Sequence, residues 1–172
     1  MLTRGIVAVT VLCLILPAGA FAQGFNQGDK AVLLNATGAS ENDFDSTIFS
    51  IEGELGYFFS PRIEGAVRQS IQFSNIEGIG SATNASTRAA GDYHFDLGRF
   101  WPFAGASLGY VYGDNVTDSW EAGLEGGLKF FVNSTTFILG RLEYQWFLNG
   151  HHAEDGFNNG QWFYTIGIGF RW

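Results

Sequence analysis

Apolar and polar residues alternate with a period of two along most of the chain. The C-terminal segment is clearest. In 160–172 one parity carries Trp162, Tyr164, Ile166, Ile168, Phe170 and Trp172, and the other carries Gln161, Phe163, Thr165, Gly167, Gly169 and Arg171. Such a pattern belongs to a strand whose two faces meet different surroundings. Residues 120–132 set Trp120, Leu124, Leu128 and Phe130 against Glu121, Glu125 and Lys129; residues 136–148 set Ile138, Leu142, Tyr144 and Trp146 against Arg141, Glu143 and Gln145. Noisier versions occupy 48–59 (Ile51, Leu55, Tyr57 against Glu52, Glu54), 62–73 (Ile63, Val67, Ile71 against Arg62, Glu64, Arg68), 87–97 (Ala89, Tyr93, Phe95 against Arg88, Asp92, His94, Asp96) and 102–112 (Ala104, Ala106, Leu108 against Gly105, Ser107, Gly109). The weakest is 30–39, with Val32, Leu34 and Ala36 against Asn35 and Thr37. The pattern predicts eight strands of roughly ten to thirteen residues, long for a soluble sheet and suited to tilted strands crossing a bilayer.

The connections alternate in kind. Phe59-Ser60-Pro61, Gly98-Arg99-Phe100 and Asn133-Ser134-Thr135 read as tight turns, and longer polar loops are expected at 40–47, 74–86, 113–119 and 149–159. Turns at one end and loops at the other is the outer-membrane arrangement. Aromatic residues gather near both strand ends: Tyr57, Phe59, Phe95, Trp101, Phe130, Phe170 and Trp172 towards the turns, and Phe49, Phe73, Tyr110, Tyr112, Trp120, Trp146 and Trp162 towards the loops. Two such belts mark the two membrane interfaces. The expected fold is all-β: an eight-stranded antiparallel up-and-down transmembrane β-barrel.

Period two alone does not say which face points inward, and a soluble lipocalin-like carrier would put the apolar set inside. Strand length, the aromatic belts and the sorting of charges favour the opposite arrangement. The polar faces interleave both signs, as a closed interior requires. The expected interior network comprises Glu52, Glu54, Glu64, Arg68, Asp92, Glu121, Glu125, Lys129, Arg141 and Glu143. Arg68 is expected to pair with Glu52 or Glu54, and Arg141 with Glu125. An eight-stranded barrel is just wide enough for side chains to fill it, so no open pore is expected.

The N-terminus changes the domain reading. A basic start (Met1-Leu2-Thr3-Arg4), an apolar run from Gly5 to Leu16 and the sequence Ala20-Phe21-Ala22 form a signal peptide with cleavage after Ala22. Residues 1–22 are thus expected to be removed, leaving a barrel domain over 23–172, and the lone Cys13 leaves with them. The 24 glycines and 3 prolines argue against long helices. A net charge of −8 removes the basic footprint of a nucleic-acid binder.

On these residues the chain resembles the small eight-stranded outer-membrane barrels of the opacity-protein and OmpA/OmpX type, over the whole of 23–172. The best local matches are the terminal strand, Trp101-Pro102-Phe103-Ala104-Gly105-Ala106-Ser107-Leu108-Gly109-Tyr110, and Gly127-Leu128-Lys129-Phe130-Phe131-Val132 with Arg141-Leu142-Glu143-Tyr144. The resemblance implies an integral location in the bacterial outer membrane, among its lipid and lipopolysaccharide. It also implies that Tyr164, Ile166, Ile168, Phe170 and Trp172 present the signal read by the barrel-assembly machinery, with Trp172 where the family usually ends in Phe.

Chemistry is sparse. Glu41, Asp43, Asp45, Glu77, Asp114, Asp118, Glu154 and Asp155 fall in the four expected loops, which hold no Lys or Arg. They read as solvated loop charge, or as ligands for divalent cations near lipopolysaccharide phosphates or for a cationic partner. His151 and His152 stand beside Glu154 and Asp155, which brings a lipid A-modifying enzyme into view, but His151-His152-Ala153 offers no serine as nucleophile. The sequence therefore points to a structural or surface-contact barrel with no catalytic residues, cofactor or metal; an extracellular ligand is left open.

Overall fold

A computed structural model describes residues 24–40, 46–76, 80–113, 119–148 and 160–172. The expected cleavage residues Ala20 and Ala22, the eight loop acids, His151 and His152 lie outside the described residues. Eight strands follow in chain order: β1 (Lys30–Ser40), β2 (Ser46–Ser60), β3 (Ile63–Ile76), β4 (Gly80–His94), β5 (Phe100–Gly113), β6 (Ser119–Phe131), β7 (Thr136–Phe147) and β8 (Gly160–Arg171). Each pairs antiparallel with its neighbours, and β8 closes on β1. The seam ladder joins Ala31–Ala36 to Ile166–Arg171, so the sheet closes on itself there, the condition a sheet must meet to stand in hydrocarbon. At the seam, Lys30 and Trp172 exchange backbone hydrogen bonds, both 3.0 Å long.

The turns are set by short polar side chains. Ser60 Oγ accepts the N–H groups of Arg62 (3.3 Å) and Ile63 (3.1 Å). Asp96 Oδ1 accepts Gly98 N–H at 2.9 Å, and Gly98 sits at φ +75°, where glycine carries no steric penalty. Asn133 Oδ1 accepts the N–H groups of Thr135 (2.9 Å) and Thr136 (2.8 Å). These turns share one end of the barrel with the start of β1 and the end of β8.

The apolar parity points outward. Leu34, Leu55, Val67, Leu108, Leu124, Ile138, Leu142, Tyr164 and Ile166 are all exposed, on seven of the eight strands, while β4 presents Thr87, Ala89, Gly91 and Tyr93. Neighbours in sequence show the contrast: Arg141 is 4% exposed and Leu142 is 40% exposed. A monomeric soluble protein does not carry an apolar surface around its whole girth, and this rules out the soluble carrier. The chain is an integral transmembrane barrel of the outer-membrane type.

Four expectations are corrected. The polar stretch 74–86 is mostly ladder: β3 and β4 stay in register out to Ile76 opposite Gly80. Alternation records lipid on one side of a strand, whereas a backbone ladder forms without it, so Ser74-Asn75 and Gly80-Ser81-Ala82 gave no strand signal. Conversely, β4 ends at His94, and 95–97 enter the turn, with Phe95 N–H on Pro102 O at 2.8 Å. Arg62 and Asp96, expected on the polar inner faces, are exposed at these turns. Finally, Trp101 does not belong to the aromatic belt. It shares the inward parity of Phe103 and Ser107, is 2% exposed, and donates Nε1–H to Gly98 O at 2.8 Å.

Candidate functional site

Among the described residues the lumen gathers the chemistry, and it is built in tiers. At the turn end an aromatic plug closes it. Phe58, Trp101, Phe103, Phe131 and Phe137 point inward from β2, β5, β6 and β7, with Leu33 and Leu139. Phe25 completes the plug from the segment before β1, stacking on Phe58 at 3.9 Å between centroids and meeting Trp101, Phe131 and Phe137 edge-on. That segment is pinned by Gly28 N–H on Phe58 O (2.8 Å) and Phe58 N–H on Asp29 O (2.9 Å). Its rim is tied by Arg171 Nη1 on Asp29 Oδ2 at 2.5 Å.

The next tier begins the charges. Lys129 Nζ donates to Glu64 Oε2 at 2.5 Å and lies 5.3 to 5.7 Å from the ring centroids of Phe25, Phe58, Phe103 and Phe137. His94 Nε2 is 2.8 Å from the same carboxylate oxygen. Beyond it, Arg68 extends to three carboxylates. Nε donates to Glu54 Oε2 at 2.8 Å, Nη1 and Nη2 take both oxygens of Glu125 at 2.5 and 2.7 Å, and Nη2 reaches Asp92 Oδ2 at 3.4 Å. Arg141 bridges Glu54 Oε2 (2.9 Å) and Glu52 Oε1 (2.5 Å), and Asn35 donates to the latter at 3.0 Å. Arg88 joins Glu52 to Glu143 (2.8 Å) and approaches Glu121 at 3.7 Å. Ser107 donates to Glu143 at 2.6 Å and Ser86 to Glu121. From Asp92 to Glu143 the contacts are continuous.

All ten residues expected in the network therefore line the lumen and are buried. Their partners differ in part. Arg68 reaches Glu54, whereas Glu52 is held by Arg141, Arg88 and Asn35. The expected Arg141–Glu125 pair is not formed, because Glu125 takes Arg68 from across the barrel. Arg88, His94, Asn35, Ser86 and Ser107 complete the cluster. Of these, Arg88, His94, Asn35 and Ser107 stand on the polar parity of their segments, whereas Ser86 fell in the stretch expected to be a loop. Phe25 had no such signal, because it precedes the first alternating segment. Tyr164, Ile166, Ile168, Phe170 and Trp172, expected to carry an assembly signal, all face outward on the β8 side of the seam and are exposed.

A lumen filled in this way holds its charges in defined pairs among the described residues. Several members have two partners or more, but Glu125 forms an ion pair only with Arg68 among the described residues, so loss of Arg68 strands a buried carboxylate.

No protein-family model and no curated protein sequence matches the chain. Solved structures do match it. The N-terminal β-barrel domain of Pseudomonas aeruginosa OprF superposes with a TM-score of 0.62 at 19% identity, over 86% of this chain and all of that one. Neisserial surface protein A gives 0.56 at 19% identity, over 83% of this chain and 94% of that one. A structure from de novo design of transmembrane β-barrels gives 0.53 at 17% identity, over 87% of this chain and 100% of that one. At such identities the likeness is one of fold, the small outer-membrane barrel. Since a designed barrel shares that fold, function has to be argued from the site.

Proposed function

We propose that the chain is a non-enzymatic barrel of the bacterial outer membrane, made with residues 1–22 as a signal peptide, and that it serves the envelope as a closed scaffold presenting its loops outside. The observation that carries this reading is the lumen itself. A plug of aromatic rings and a continuous set of ion pairs occupy the space through which a pore would conduct or a substrate would enter. The acidic residues of the loops suit divalent cations bridging lipopolysaccharide phosphates, or a cationic partner at the surface. The outward face of β8, ending in Trp172, suits recognition by the barrel-assembly machinery before it is sealed against β1.

Planar-bilayer recording tests the reading. The barrel should give little or no steady current; large, stable single-channel steps would sink it. The enzymatic alternative predicts something else, a change in the lipid A mass spectrum on expression of the protein. An unchanged spectrum is expected.

A further inference from the structure

The charges of the lumen do not balance. Seven buried carboxylates, Glu52, Glu54, Glu64, Asp92, Glu121, Glu125 and Glu143, face four buried cationic side chains, Arg68, Arg88, Lys129 and Arg141. Part of the deficit falls at one place. Glu64 and Asp92 are direct cross-strand partners in the β3–β4 register, an arrangement of like charges that is unfavourable even on a surface. Lys129 serves Glu64. Asp92 has the 3.4 Å contact from Arg68, whose shorter bonds go to Glu54 and Glu125, and a side-chain contact with the Glu125 carboxyl.

His94 lies two residues beyond Asp92 on the same inward face. Glu64, Asp92 and His94 each offer a donor atom, all within 4.8 Å of one another. Each of the three is at most 4% exposed, and each keeps a buried polar atom with no hydrogen-bond partner: Glu64 Oε1, Asp92 Oδ1 and His94 Nδ1. An orphaned polar atom in an interior costs about 1–3 kcal/mol, so each of the three side chains would gain from a further partner.

We infer that Glu64, Asp92 and His94 form a lumenal binding site for a divalent transition-metal cation of the Zn²⁺ type. One imidazole nitrogen with two carboxylates suits such a borderline ion, whereas Ca²⁺ needs six to eight oxygens. Bonds of ~2.1 Å place tetrahedral ligands roughly 3.4 Å apart, so the three donors have to draw in by little more than a bond length. His94 Nε2 and Glu64 Oε2 already stand 2.8 Å apart, two of the donor atoms side by side on facing strands. The rings of Phe25, Phe58, Trp101 and Phe103 around His94 wall the site from the turn end. Because the site is enclosed, the cation is taken up as the barrel folds.

The test is metal content. Full-length barrel refolded in detergent with ZnCl₂, then desalted, should retain equimolar zinc by mass spectrometry, judged on heat-modifiable protein so that only folded chains count. The double variant His151→Ala/His152→Ala should retain it equally, which separates the lumen from the loop histidines. Asp92→Asn and His94→Gln should lose it. Zinc-free wild type, loss in the loop variant, or retention in both lumenal variants would each overturn the assignment. If the lumenal variants do not fold, Lys129→Met decides: removing the neighbouring ammonium should tighten Co²⁺ binding, read from the visible absorption of the bound ion, and an unchanged affinity would refute a site beside Lys129.

Discussion

Replacing Arg68 by Met should be among the most damaging single changes in the lumen, and the size of the effect follows from its contacts. Arg68 is 1% exposed. The substitution roughly keeps the length of the side chain and removes the guanidinium. Glu54 would still hold Arg141 at 2.9 Å, but Glu125 has no other ion pair among the described residues. It would be left as a lone carboxylate opposite Asp92 in a water-poor interior. Breaking a buried pair in this way costs about 3–5 kcal/mol, most of it the stranded charge rather than the lost attraction. Adding Glu125→Gln removes that charge, so the double variant should regain about 1–3 kcal/mol relative to additivity. Urea unfolding of the barrel in phospholipid vesicles, followed by tryptophan fluorescence, supplies the four stabilities. A second cycle, Arg141→Met with Glu125→Gln, should couple more weakly, because those two groups do not pair. Coupling below about 0.5 kcal/mol in the first cycle, or stronger coupling in the second, would refute this account of the lumen.

Three further outcomes are expected. Arg in place of Leu124 or Ile166 should cost about 2–4 kcal/mol in the same vesicle assay, since both side chains face lipid near the middle of their strands; full tolerance would mean the faces are inverted. Phe25→Ala should cost about 3–5 kcal/mol by emptying the centre of the plug, and an effect under ~1 kcal/mol would show that the segment before β1 does not stay docked. Deleting Trp172 should lower the amount of heat-modifiable protein in outer membranes more than it lowers refolding yield in detergent, because only the cell needs the assembly machinery; equal losses would leave Trp172 a purely stabilising role at the seam it closes with Lys30.

The faces of the strands were legible because lipid imposes a period-two code, and a code of that kind needs no knowledge of the partner strand. Glu54, Arg68, Glu125 and Arg141 could each be assigned to the interior on parity alone. Their pairing could not. Adjacent-strand partners such as Arg68 and Glu54 follow from register, but Arg68 and Glu125 meet from β3 and β6 only once the sheet has curled and closed. Trp101 was misread because its nearness to a strand end was weighed before its parity. The polar ladder from Ser74-Asn75-Ile76 to Gly80-Ser81-Ala82 was missed because beyond the apolar band the backbone pairs without any alternating signature. The grouping of Glu64, Asp92 and His94 likewise depends on the β3–β4 register, which no spacing along the chain announces.

The glycines of the inner faces show how such a crowded lumen still selects one register. The long inward side chains stand opposite glycines on the neighbouring strand: Asp92 opposite Gly105, Arg88 opposite Gly109 and Asn35 opposite Gly167. In each case a Cβ on the glycine would collide with the facing side chain, and a Cβ at Gly123 would lie 2.5 Å from Glu143 Oε1 and 2.6 Å from Ser107 Oγ. A slip of β5 against β4 by two residues keeps every side chain on its proper face, so the lipid code does not oppose it. It would, however, bring Asp92 against Phe103 or Ser107 in place of Gly105, and it would move Arg88 away from Gly109. The apolar outer face therefore rejects slips of one residue, and the match of large to absent side chains inside rejects slips of two. The ion pairs across the barrel can be this dense because the glycines have cleared the space for them, and they in turn penalise any register in which that space is filled.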